Sequence, residues 1–138
     1  LGSVRPVYVH EACHALMARL FGIASEGDWL HEGLANYYQL RWGKQDMRAI
    51  AKHLVAKGRI SSLESLLDGR PIAMEDYAQA AIFIDWIMFN ATRKARLLPA
   101  IRFMAKRGST AFEPAAKVHF GAGIERIQNS WIPWLKSR

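Results

Sequence analysis

An all-α protein, a bundle of six or seven helices, is what this sequence predicts, and three observations predict it. Apolar residues recur at helical spacing, and no segment shows the apolar–polar alternation of a half-buried strand. Glycines at Gly22, Gly27, Gly43, Gly58, Gly69, Gly108, Gly121 and Gly123 cut the chain into pieces of helix length.

The elements follow in order. A first helix is expected from about Arg5 to Phe21, with Pro6 tolerated in its opening turn and Gly22 stopping it. Asp28 is a natural N-cap for a second helix that runs to about Trp42. A third, about Lys44 to Ala56, sets Met47, Ile50, Ala51, Leu54 and Val55 on one stripe, which has to meet a partner. Residues 59–74 read as an irregular connection with a short turn in which Ser61 and Glu64 cap each other, followed by a Gly69-Arg70-Pro71 break. Glu75 to Asn90 is apolar nearly all round and is therefore the central buried helix, within which Asp85 requires a partner. Further helices are expected over Ala95 to Lys106, within Ala111 to Phe120, and from Ile124 onward, where Pro133 bends or ends the last one.

With 138 residues, 51% of them hydrophobic, the chain has the apolar mass to close one core, and residues 1–138 read as a single domain. A net charge of +7 raises the question of an acidic partner. Residues 1–43 carry three Lys/Arg against four Asp/Glu, so the excess lies downstream. There it is spread over Lys52, Lys57, Arg59, Arg93, Lys94, Arg96, Lys106 and Arg107 without the interleaved aromatics of a base-stacking surface, which argues against nucleic acid. The longest apolar stretch, Ala80 to Phe89, is interrupted by Asp85 and falls short of the roughly 20 residues of a membrane span. Cys13 is the only cysteine, so no intramolecular disulfide exists. Because Leu1 is not Met and a strong motif arrives by residue 10, the chain reads as part of a longer protein.

That motif is His10-Glu11-Ala12-Cys13-His14, an HExxH in a helical context. Residues i and i+4 stack on one helix face, so the two imidazoles point the same way. Glu11 lies on the adjoining edge, where a base reaches a water held by a cation between the histidines. A catalytic zinc site takes three protein ligands and leaves the fourth position to water. A histidine six residues past His14 would supply the third in one known arrangement, but that residue is Leu20. The alternative is a side chain on the next helix, where His31 and Glu32 compete. His53 and His119 read as surface or core-edge residues.

HEACHALMARLFG followed by WLHEGLANYY resembles the gluzincin clan of metallopeptidases, in which HExxH is followed on the next helix by a WLxEGxAxY-type segment. Seventeen residues separate His14 from Glu32, a spacing similar to the clan's. The downstream YAQAAIFIDWI and FGAGIERIQNSWIPWL resemble the C-terminal helices of the bacterial peptidase MA-like family. The likeness is strong to residue 42 and looser after it.

The resemblance implies one Zn2+ held by His10, His14 and Glu32, with Glu11 as general base and a peptide or protein as substrate. It also implies that Tyr77 donates to the oxyanion. In similar gluzincins an acidic residue four positions after the glutamate ligand orients a ligand histidine; here that position is Asn36, which can accept the bond but brings no charge. An upstream β-containing lobe of the same protein would hold the substrate backbone, and a bacterial cell-envelope or secreted location is implied. The competing expectation is a non-catalytic zinc-bearing or peptide-binding module derived from the same scaffold.

Overall fold

The structure, a computed structural model, describes residues 6–23, 27–42 and 46–137. Among them are eight helical segments and no strand: α1 Pro6–Phe21, α2 Trp29–Trp42, α3 Met47–Ala56, α4 Leu63–Leu66, α5 Tyr77–Phe89, α6 Ala91–Arg107, α7 Phe112–Ala115 and α8 Ile124–Ser137. A 3-10 turn at Met74–Asp76 leads into α5, and a π-helical turn at Ala116–Phe120 prolongs α7. Since α4 is a single turn, seven substantial helices remain, and the protein is the all-α bundle that the helical periodicity predicts.

Helix α5 is the axis of this bundle, with every residue from Gln79 to Ile87 buried. It is apolar on all sides because it has neighbours on all sides, α2, α3 and α6 among them. Asp85 is buried within it and is engaged rather than left alone. The α3 stripe finds its partners in α8 and α5, burying Ala51 and Leu54. All eight helices contribute to one apolar core.

The packing of α2 on α5 depends on Gly33. A Cβ there would lie 3.1 Å from the Ala80 carbonyl oxygen and 3.2 Å from Ile84 Cγ1, so a bare backbone lets the helices approach. The start of α2 is then pinned by Trp29, which is fully buried and packs edge-on against Phe112 and Phe83, with ring centroids 5.1 and 5.8 Å away. Its indole N–H donates to the Thr110 carbonyl at 2.6 Å, leaving no polar atom of this buried ring unmatched. Burying such a side chain is worth about 2–3 kcal/mol, which fixes the turn that carries Glu32.

The helix ends refine the expected bounds. Arg5 and Lys44, taken as the starts of the first and third helices, lie outside the described residues; α3 starts at Met47, with Asp46 accepting from the Arg48 N–H at 2.9 Å. Ser62, not Ser61, caps α4 by accepting from the Ser65 N–H at 3.2 Å. Ser61 is held by the chain packed against it, its N–H donating to Gln79 Oε1 and its hydroxyl to Asp76. α6 starts four residues earlier than expected, because the Asn90 side chain accepts from the Arg93 N–H at 3.0 Å. Pro133 does not end α8, which runs through it to Ser137; the carbonyl deprived of its partner belongs to exposed Asn129, where water can serve it.

Candidate metal centre

Gly22, with φ +66°, closes α1 by turning the chain back through a left-handed conformation, and its N–H donates to the Ala18 carbonyl at 2.9 Å. The returning helix α2 begins at Asp28, whose carboxylate accepts the Leu30 and His31 N–H groups at 3.0 Å each. This is the N-cap predicted from the sequence. The resulting α1–α2 pair brings His10 and His14 against Glu32.

The three side chains converge. His10 Nε2 and His14 Nε2 are 3.0 Å apart, His10 Nε2 lies 3.3 Å from one Glu32 oxygen, and His14 Nε2 lies 3.3 Å from the other. One ligand atom from each residue falls within 4.8 Å of the others, a group able to hold a metal ion. A tetrahedral ion with bonds of about 2.0–2.1 Å sets its ligand atoms about 3.3 Å apart, which is close to the spacing found here. Glu32 is 7% exposed, and its Oε2 has no hydrogen-bond partner. A buried carboxylate oxygen without a donor is costly unless a cation faces it. Glu32 also lies in the first turn of α2, where the helix dipole favours an anion.

The imidazole of His10 is oriented by a residue that sequence reasoning missed. Its Nδ1 donates to Gln39 Oε1 at 2.9 Å, which leaves the Nε2 lone pair facing Glu32 and His14. Asn36, expected in this role, instead donates its amide N–H to the Glu32 backbone carbonyl at 2.8 Å. It bonds neither ligand histidine: His10 Nδ1 is taken by Gln39, and His14 Nδ1 is buried without a partner. Gln39 was findable, because seven residues beyond Glu32 returns to the same helix face.

His31, the competing third ligand, is turned away from the cluster. Its Nδ1 faces Asp28 at 2.9 Å and its Nε2 faces the Ile23 carbonyl at 3.3 Å, so both nitrogens meet acceptors, an arrangement that favours the protonated ring. Burial alone would lower its pKa, but the hydrogen bond and charge of Asp28 outweigh this and raise it. For Asp28, burial opposes ionisation, and the bonds to His31 reverse that and hold its pKa below the ordinary carboxylate value. The His31 ring stacks beside His14, centroids 6.4 Å apart, as a wall of the site.

Glu11 is exposed, one residue from His10 on the neighbouring edge of α1. Tyr77 opens α5 half-buried, and burial and then the charge of Glu32 raise its pKa. Cys13 is half-buried, and burial followed by the Glu32 charge pushes its thiol up to about 11, so it stays protonated and packs as a small apolar group. His53 is exposed, and half-buried His119 lies edge-on to Phe103, 5.6 Å between centroids. Neither approaches the cluster. Compared with known proteins, the chain matches no family model, no curated protein and no solved structure, so the geometry of the site has to carry the functional reading.

Proposed function

We propose that this protein is a zinc-dependent metallopeptidase that hydrolyses peptide bonds at the His10–His14–Glu32 cluster. The observation that carries the reading is the spacing of 3.0, 3.3 and 3.3 Å among two imidazole nitrogens and the two oxygens of a buried carboxylate, one of which, Oε2, has no hydrogen-bond partner. Two nitrogens and one oxygen suit zinc better than magnesium or calcium, which prefer all-oxygen sites. The HExxH spacing and the likeness to the gluzincin clan support the same reading.

Zinc held there would supply a Lewis acid and a water whose pKa falls toward about 7. The chain's own residues divide the remaining work. Glu11, exposed on the edge of α1 next to the ligand pair, accepts the proton of the attacking water and returns it to the leaving amine. Tyr77 keeps its phenolic proton at neutral pH and so serves as hydrogen-bond donor to the oxyanion. Gln39 holds His10 in the tautomer whose Nε2 lone pair faces the cluster. No helix among the described residues is long and apolar enough to cross a bilayer.

The deciding experiment measures metal content and hydrolysis together. Purified wild-type protein is expected to carry about one zinc, lost in His10→Ala and in Glu32→Ala. Glu11→Gln is expected to keep the zinc and lose hydrolysis of a peptide library by at least about a hundredfold. Zinc retained by a wild-type protein, in its full-length natural context, that hydrolyses no peptide would leave a non-catalytic zinc-bearing module.

A further inference from the structure

On the far side of α1 from Glu11 runs an apolar groove of about 320 Å³. At about 100° per residue, Glu11 lies some 80° to one side of the histidine pair, and Cys13, Leu20 and Leu16 lie roughly 80–140° to the other. The groove is therefore separated by the helix itself from the edge that carries the proposed base, and it is not a pocket for the scissile residue. Met17, Leu34, Leu97 and Ile101 form its floor, and Leu16, Leu20 and Leu98 stand on its rim at 55%, 67% and 43% exposure. Three exposed leucines around one groove form a surface that a chain covers with a partner.

The charge beside the groove says what kind of partner. Helix α6, which forms one wall, carries six Lys/Arg and no Asp/Glu: Arg93, Lys94, Arg96, Arg102, Lys106 and Arg107. Lys94 lines the groove and exposed Arg102 stands one turn past the rim residue Leu98, so the near end of the groove wall is basic. Among the described residues, Lys94 is the one charged side chain lining the groove. We propose that the α1/α6 groove is a docking site for an amphipathic helix of a partner protein, one whose apolar face enters the groove and whose acidic edge lies against Lys94 and Arg102.

A helix fits this surface because its i, i+3, i+4, i+7 row is a ridge of the kind that an interhelical groove accepts. A flat lipid surface would reach the rim leucines but not Met17, Leu34, Leu97 or Ile101 at the floor. A second copy meeting the first across this face would set one cationic α6 against another. An acidic helix meets neither obstacle, and the charge on α6 would speed its encounter and set its direction.

The test uses the intact chain and a fluorescein-labelled synthetic helix with leucines at i, i+3, i+4 and i+7, flanked by glutamates. Anisotropy should report saturable binding that weakens as salt rises. Binding should fall at least about tenfold for Lys94→Glu/Arg102→Glu and for Leu98→Asp, with thermal unfolding showing that both variants remain folded. A peptide with the same leucines but lysine flanks should bind at least about tenfold more weakly. Equal binding of the two peptides, or binding untouched by the variants, overturns the proposal. So does retention on phosphatidylglycerol vesicles, or self-association abolished by Leu98→Asp, in a protein that ignores the acidic peptide.

Discussion

The Nδ1 of His10 donates to Gln39 Oε1 at 2.9 Å, two helical turns along α2 from the carboxylate that faces the other edge of the same ring. One imidazole is thereby held from both sides. Losing a partner of this kind costs about 10–100-fold in metal affinity, so Gln39→Ala should weaken zinc binding by that much in competition with a chromophoric chelator. Gln39→Glu should strengthen it, since a charged acceptor makes His10 more basic. Asn36→Asp should give no gain, because its carboxylate would replace a donor to the Glu32 carbonyl with a repelling oxygen. Wild-type affinity in Gln39→Ala, or tighter binding in Asn36→Asp, would return the role to Asn36.

Beneath the cluster, the Asp28–His31 pair predicts a pH window for stability. His31 has its pKa raised on folding, so its contribution is complete below the unfolded value and is lost as pH climbs through the folded one. Asp28 has its pKa lowered, so its contribution is complete above the unfolded value and is lost as pH falls through the folded one. Both are fully present between about pH 4 and pH 6.5, the ordinary values of the two groups. Asp28→Asn keeps a capping side chain but loses the charge, and should cost about 1–2 kcal/mol inside that window and progressively less above it. Urea unfolding of both proteins across pH 4–9 measures this directly, and a difference that grows toward pH 9 would contradict it.

Most of the helical scaffold was legible, and what was missed, apart from the local Asn90 cap that starts α6 early, has one physical cause. Periodicity and punctuation report properties of a single helix, so the buried α5, the Asp28 cap and the His10–His14 face could all be read from local spacing. Gln39 and Asn36 share a face of α2, and choosing between them requires knowing how α1 lies along α2, a relation between two helices. The same holds for Ser61, which looks like a cap but is drawn away by Gln79 and Asp76. The groove beside α1 was illegible for a related reason: the exposure of Leu16 and Leu20 depends on how α1 sits against α2 and α6.

Tyr77 offers a way to separate binding from turnover. As an oxyanion donor it acts on the transition state, so Tyr77→Phe should lower kcat by about 10²–10³ and leave KM and zinc affinity nearly unchanged. A purely packing role predicts the reverse pattern: a lower unfolding midpoint and intact kcat in the folded fraction. Measuring steady-state kinetics beside urea unfolding on the same preparation distinguishes the two.

Gly33 adjoins the carboxylate ligand, and two effects of opposite sign compete there. Replacing glycine by alanine inside a helix normally stabilises it by about 1 kcal/mol. Here the new Cβ would meet the Ala80 carbonyl oxygen at 3.1 Å and Ile84 Cγ1 at 3.2 Å, and the first of these is backbone in the central helix. Overpacking at such a contact costs about 1–3 kcal/mol. The contact outweighs the propensity because α5 is enclosed by its neighbours and cannot retreat, so Gly33→Ala should lower stability by about 1 kcal/mol. The strain is relieved only by moving α2 outward, which shifts Glu32 relative to His10 and His14, so zinc affinity should fall in the same variant. Stabilisation with unchanged affinity would mean that α2 and α5 are not as tightly apposed as their geometry indicates. Loss of affinity with unchanged stability would mean that the helix moves freely and that Gly33 serves the position of Glu32 alone.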